Sequence, residues 1–122
     1  MIDFSSRTRL LVGDECAARL AETRVIVFGV GGVGSWCVEG LVRSGVSHIT
    51  IVDQDRVCPS NINRQLMATA VTVGQVKVDA LKEHLLEINP DADIDARHEA
   101  FNASTADSFG IGGYDYVIDA ID

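Results

Sequence analysis

Phosphate binding is the chemistry suggested by the stretch FGVGGVGSW, residues 28–36, where Gly29, Gly31 and Gly34 fit the pattern G-x-G-x-x-G. Glycines at 31, 32 and 34 let a backbone come close to a phosphate. A helix starting there would aim its free N–H groups and the positive end of its dipole at the anion. A tight strand-to-helix turn with nothing bound uses the same residues. Asp53 adds weight, because an acid closing a second strand about 20 residues past the glycines is placed to accept hydrogen bonds from ribose hydroxyls. Both NAD and ATP remain open at this point.

The loop DQDRVCPSNINRQ separates the two. It brings Asn61, Asn63 and Arg64 to the same edge, and Lys77 follows near the start of the next helix. A dinucleotide site needs few extra cations. A lysine at a helix start opposes the dipole at a cost of about a few tenths of a kcal/mol, which a triphosphate would offset. Taken singly, Arg64 or Lys77 reads equally well as a solvated surface cation; together, beside the glycine turn, they favour a triphosphate.

The elements that must hold these residues follow from periodicity. GDECAARLAET reads as a helix and RVIVFG as a short β-branched strand ending in glycine. VGSWCVEGLVRSG puts Val33, Trp36, Cys37, Gly40 and Leu41 at helical spacing, which predicts a core-facing Trp36, and Ser44-Gly45 supplies a stop. HITIVD is a continuous apolar run of the kind buried on both faces of a parallel sheet. After a long loop over residues 54–71, TVGQVKVDALKEHLLEINP gives the clearest helix. It opens on a capping-box pattern, Thr72-x-x-Gln75, with Val76, Ala80, Leu81, Leu85 and Ile88 in register. ADIDARHEAF alternates as a third strand, NASTADSFGIGG reads as a short helix and turn, and YDYVIDAID as a fourth strand. The expected fold is α/β: a doubly wound, Rossmann-like parallel sheet ending after the fourth strand, with an N-terminal helical segment over 1–23 and a βαβαβαβ nucleotide-binding unit over 24–122. Ligands in such sheets sit at the carboxyl ends of the strands, where residues 29–34, 53–64 and 119–122 would converge.

Composition excludes several classes. The 122 residues suit one domain, and 47% apolar content allows a real core. A net charge of −8 argues against a broad basic surface for nucleic acid. No segment resembles a signal peptide or approaches the roughly 20 apolar residues of a membrane span, so the expectation is a soluble cytoplasmic protein. Cys16, Cys37 and Cys58 form no C-x-x-C pair, which disfavours a disulfide framework or zinc site. Buried packing is the expectation for Cys16 and Cys37.

In order along the chain, GVGGVG, VDQDRVCPSNINRQ, TVGQVKVD and YVIDAID resemble the ubiquitin-activating-like (ThiF/MoeB/HesA-type) adenylating enzymes. With SRTRLLVGDE, the wording VCPSNINRQ is most similar to the tRNA threonylcarbamoyladenosine dehydratases within that group. The resemblance implies that Gly32 lies against the nucleotide, Asp53 holds the ribose, Asn61, Arg64 and Lys77 contact phosphates, and Asp122 binds Mg²⁺. Gly29, Gly31, Gly34, Asp55, Ser60 and Asn63 complete the implied ATP-binding set, with Arg64, Lys77 and Asp122 as the catalytic members. It also implies a homodimer in which Arg7 or Arg9 reaches the partner's phosphates, a chain continuing beyond Asp122, and a tRNA substrate bound through regions outside this sequence. Adenylation of a ubiquitin-like C-terminus, an NAD-dependent oxidoreductase domain and a non-catalytic nucleotide-binding module are the alternatives. The NAD reading leaves SNINRQ and Lys77 without a use.

Overall fold

The structure, a computed structural model, describes residues 3–122. Two short helices, α1 (Ser6–Val12) and α2 (Asp14–Glu22), precede strand β1 (Arg24–Phe28). Then follow α3 (Gly34–Arg43), β2 (His48–Val52), α4 (Lys77–Ile88), β3 (Asp93–Arg97) and β4 (Tyr116–Asp119). All strand pairs are parallel, in the order β3-β2-β1-β4, so the direction of winding reverses between β1 and β4. This is the doubly wound α/β sheet that the alternation of elements predicts.

β1 and β2 are buried on both faces, which is why RVIVF and HITIV are apolar without alternation. Val25, Val27, Ile49 and Ile51 meet Val38 and Val42 of α3 and Val78, Leu81 and Leu85 of α4 on one side. Ile26, Phe28 and Val52 meet Phe109 on the other, with Ile111 and Tyr114 packed against them. The buried Thr50 hydroxyl on that face is satisfied by the Tyr114 hydroxyl at 2.8 Å. The last crossover carries short 3-10 turns, Ala106–Phe109 and Ile111–Gly113, as the expected short helix and turn.

Three expectations need correction. The core face of α3 is Gly34, Ser35, Val38 and Val42; Val33 and Trp36 are 75% and 55% exposed. Small residues at 34 and 35 let the helix start lie close against the preceding turn, which rotates the larger apolar residues outward. Trp36 instead donates its indole N–H to the Arg64 carbonyl at 2.9 Å. Cys16 and Cys37 are half-buried, not buried, since the faces that carry them are only partly covered.

The capping box at Thr72–Gln75 does not form. α4 starts at Lys77, because Val76 is extended and, with Gly74 and Gln75, closes the loop at its base. There the Val57 N–H donates to the Gln75 carbonyl at 2.8 Å and the Gly74 N–H to the Val57 carbonyl at 2.9 Å, beside an antiparallel bridge between Arg56 and Val76. The Thr72 hydroxyl donates to the Met67 carbonyl and accepts the Thr69 N–H, holding a turn inside the loop. No helix among the described residues is long and apolar enough to cross a membrane.

Candidate functional site

The glycine turn follows β1 and does two separate jobs. Gly29 has φ +90°, and a Cβ there would stand 2.7 Å from the Ala120 carbonyl oxygen just past β4. A Cβ on Gly34 would stand 1.7 Å from the Gly29 carbonyl oxygen. These two glycines let strand, helix and neighbouring strand close on one another. At Gly31 and Gly32 the missing Cβ leaves room for side chains of the following loop: Gln65 Nε2 and Arg64 Cγ each lie 3.4 Å from where it would be.

The loop is fastened to that turn. The buried Ser35 hydroxyl donates to the Gly31 carbonyl and accepts the Leu66 N–H at 3.2 Å, while Trp36 holds Arg64 by its carbonyl. Arg64 Nη1 donates to the Ser60 carbonyl at 3.0 Å and to Asn63 Oδ1 at 2.9 Å. Asn61 Oδ1 accepts the Cys58 N–H at 2.9 Å and so shapes the turn Pro59–Asn61.

At the end of β2, Asp53 Oδ2 accepts the Val30 N–H at 3.0 Å and Oδ1 accepts the Asp55 N–H at 2.8 Å. The carboxylate thus braces the glycine turn against its own strand. The Asp55 carbonyl accepts the Lys77 N–H at 3.1 Å, which seats the start of α4 beside β2. Lys77 is only 6% exposed, and its ammonium has Asp55 Oδ2 at 3.8 Å. A cleft of about 270 Å³ opens at this strand edge, and Gly29, Gly31, Asp53, Asp55, Lys77 and Asp122 all line it.

The family model for the ThiF family matches residues 5–122. The chain belongs to the ThiF family. It is 45% identical over 122 residues to the tRNA threonylcarbamoyladenosine dehydratase of Bacillus subtilis (strain 168), spanning all of this chain and 48% of that protein. Against the enzyme of the same name from Haemophilus influenzae it is 41% identical over 119 residues, 98% of this chain and 45% of the relative. Among solved structures, E. coli tRNA N6-threonylcarbamoyladenosine dehydratase, TcdA, in complex with ATP, superposes with a TM-score of 0.92 at 37% identity. That match covers 95% of this chain and 48% of TcdA. The ThiF-family chain therefore spans about half the length of the relatives it matches.

Of the residues singled out from sequence, the ThiF-family cleft gathers the six named above. Gly32 and Arg64 lie against each other outside its lining, and Ser60, Asn61 and Asn63 stay within the loop. Arg7 and Arg9 lie on α1, away from the cleft. Arg9 is engaged within its own chain, with Asp3 at 3.0 Å and Asp14 at 3.5 Å, whereas Arg7 makes no ion pair among the described residues. The Ser5 hydroxyl and N–H, then Arg9, hold the Asp3 carboxyl down to about 2.

Gln65, Glu99, Ala100 and Phe101 line the ThiF-family cleft although the sequence reading passed over them. The last three follow β3, so the carboxyl-end rule applied to the third strand would have found them. Phe101 stacks on Phe28 with ring centroids 4.0 Å apart and offers the cleft an apolar wall. Among the described residues no group of three or more His, Cys, Asp or Glu gathers as a metal cage. Mg²⁺ held by one or two carboxylates plus substrate phosphates needs no such cage, and Asp122 fits that donor set.

Proposed function

We propose that this chain forms the nucleotide-binding part of an ATP-dependent enzyme that adenylates a substrate carboxylate, and that the substrate is threonylcarbamoyladenosine in tRNA. One observation carries the reading: a buried lysine opens on the same cleft as the glycine turn. Lysine is rarely this buried without a partner, and a single carboxylate oxygen at 3.8 Å compensates it incompletely. A phosphate chain supplies the missing charge. The relatives' names support the acceptor, and the ATP-bound neighbour supports the nucleotide.

The chemistry then follows from placement. Phosphates would lie along residues 31–34 at the start of α3, with Lys77, and Arg64 once its guanidinium turns from Ser60 and Asn63 toward the cleft, offsetting the charge that grows on their oxygens. Asp53 accepts from the ribose, and Phe101 faces the base. Asp122 would hold Mg²⁺, which supplies Lewis-acid polarisation of the phosphoryl oxygens. The substrate carboxylate attacks the α-phosphate and pyrophosphate leaves; no protein nucleophile takes part. The activated carbonyl is then attacked from within the same modified nucleoside, the ring closes and AMP departs, for a net loss of water. The partner subunit in a homodimer would contribute an arginine from α1.

Calorimetry with ATP–Mg²⁺ and with NAD tests the reading directly. Binding of ATP but not NAD is expected, with affinity falling about 10- to 150-fold in Lys77→Met and in Arg64→Ala, the loss of one charged hydrogen bond. NAD binding without ATP binding, or ATP binding unaltered in both variants, would sink it. For the acceptor, pyrophosphate release by the intact protein should depend on threonylcarbamoylated tRNA; release dependent on a ubiquitin-like C-terminus instead would move the substrate to the sulfur-transfer branch.

A further inference from the structure

Gln65 is buried, yet its polar tip is unprovided for. It is 7% exposed, and its Oε1 is the buried side-chain oxygen or nitrogen that has no hydrogen-bond partner among the described residues. The backbone around it is fully engaged: the Gln65 N–H donates to the Asn61 carbonyl at 2.9 Å, its carbonyl accepts the Ala68 N–H at 3.1 Å, and the next N–H is held by Ser35. The residue is therefore fixed in place while its amide oxygen is left unsatisfied, a combination that stability alone does not favour. A leucine or methionine would fill the same space without the penalty. Gln65 also lines the cleft, with Nε2 facing Gly31, 3.4 Å from where a Cβ would stand.

We propose that the Gln65 carboxamide is a phosphate-binding group of this cleft, donating an N–H to the phosphate chain of the bound nucleotide; the inference rests on the ATP reading above. Phosphate is favoured over ribose and base because the amide lies beside the turn that leads into the start of α3, where anions are stabilised. The terminal torsion of glutamine is soft, so the amide can turn toward the ligand at little cost. Its oxygen then accepts from a donor in the same cleft, such as the Lys77 ammonium or a bound water. Being neutral, Gln65 would help hold the phosphates without adding a third positive charge beside Lys77 and Arg64.

Affinities of the parent and of Gln65→Met for ATP, AMP and adenosine, with melting temperatures of the ligand-free proteins, test this. Gln65→Met should lose about tenfold in affinity for ATP and AMP and keep its adenosine affinity, while its ligand-free melting temperature holds or rises. Gln65→Glu, which keeps the volume but brings an anion to the phosphates, should lose more and again spare adenosine. Unchanged ATP affinity in both variants overturns the assignment. So does a parallel loss of ATP and adenosine affinity, the mark of a structural role. A parent protein that fails to bind ATP would instead bring down the underlying reading and this inference with it.

Discussion

A methyl group added at residue 34 would sit 1.7 Å from the Gly29 carbonyl oxygen, and no rotamer change relieves a clash with backbone. Gly34→Ala is expected to lower unfolding free energy by about 3 kcal/mol in urea titration. Gly31→Ala, whose nearest neighbour is the far end of a side chain at 3.4 Å, should cost under about 1 kcal/mol. Equal losses would refute the division of labour within the turn. Asp53→Ala removes the acceptor of the Val30 and Asp55 amides and, on the proposed role, of the ribose hydroxyls, so it should lower affinity for ATP and adenosine alike, by about 1.5–3 kcal/mol. It should also destabilise the ligand-free protein; unchanged adenosine binding would exclude the ribose role. The placement of Asp53 at a strand end was legible from the spacing of apolar and acidic residues. Its bracing of the Val30 amide was not, since that contact exists only once β1 and β2 are paired.

Ser35 shows how elements hold a site without touching a ligand. Its hydroxyl joins the glycine turn to the loop that presents Arg64, and Ser35→Ala should cost about 1–2 kcal/mol of stability while raising the KM for ATP more than it lowers kcat. A denaturant melt and an ATP titration of the same variant check both halves; an unchanged KM would show that the loop keeps its place by other means. The strands were readable because unbroken β-branched runs, VIV at 25–27 and ITIV at 49–52, fill β1 and β2. The orientation of α3 was not, because counting apolar residues weights Trp36 above Gly34 and Ser35, whereas close approach to the turn rewards small size. The start of α4 was misplaced for a related reason: Thr72 and Gln75 have capping chemistry, but backbone pairing at the loop base claims the residues between them and the helix.

At the scale of the whole molecule, exposed apolar residues recur on several elements, Val33, Trp36 and Val71 among them. Leu10 and Leu11 on α1 are 83% and 86% exposed, and Tyr116 and Val117 on β4 are 64% and 46% exposed. Self-association is expected on these grounds, and light scattering at micromolar concentration should return a mass above that of one chain; a clean monomer would count against it. The loop between β2 and α4 has one more consequence. It is cinched at its neck by residues 55–57 and 74–77, tacked down again at residues 64–66 and anchored in the core by Met67 and Ala68, which leaves residues 69–73 as an outer crown, with Val71 85% exposed. Doubling the length of such a crown costs only about 0.6 kcal/mol in closure entropy. Insertions can therefore accumulate there over evolution, remodelling what the protein presents to an incoming substrate while Arg64 and Lys77 remain in place.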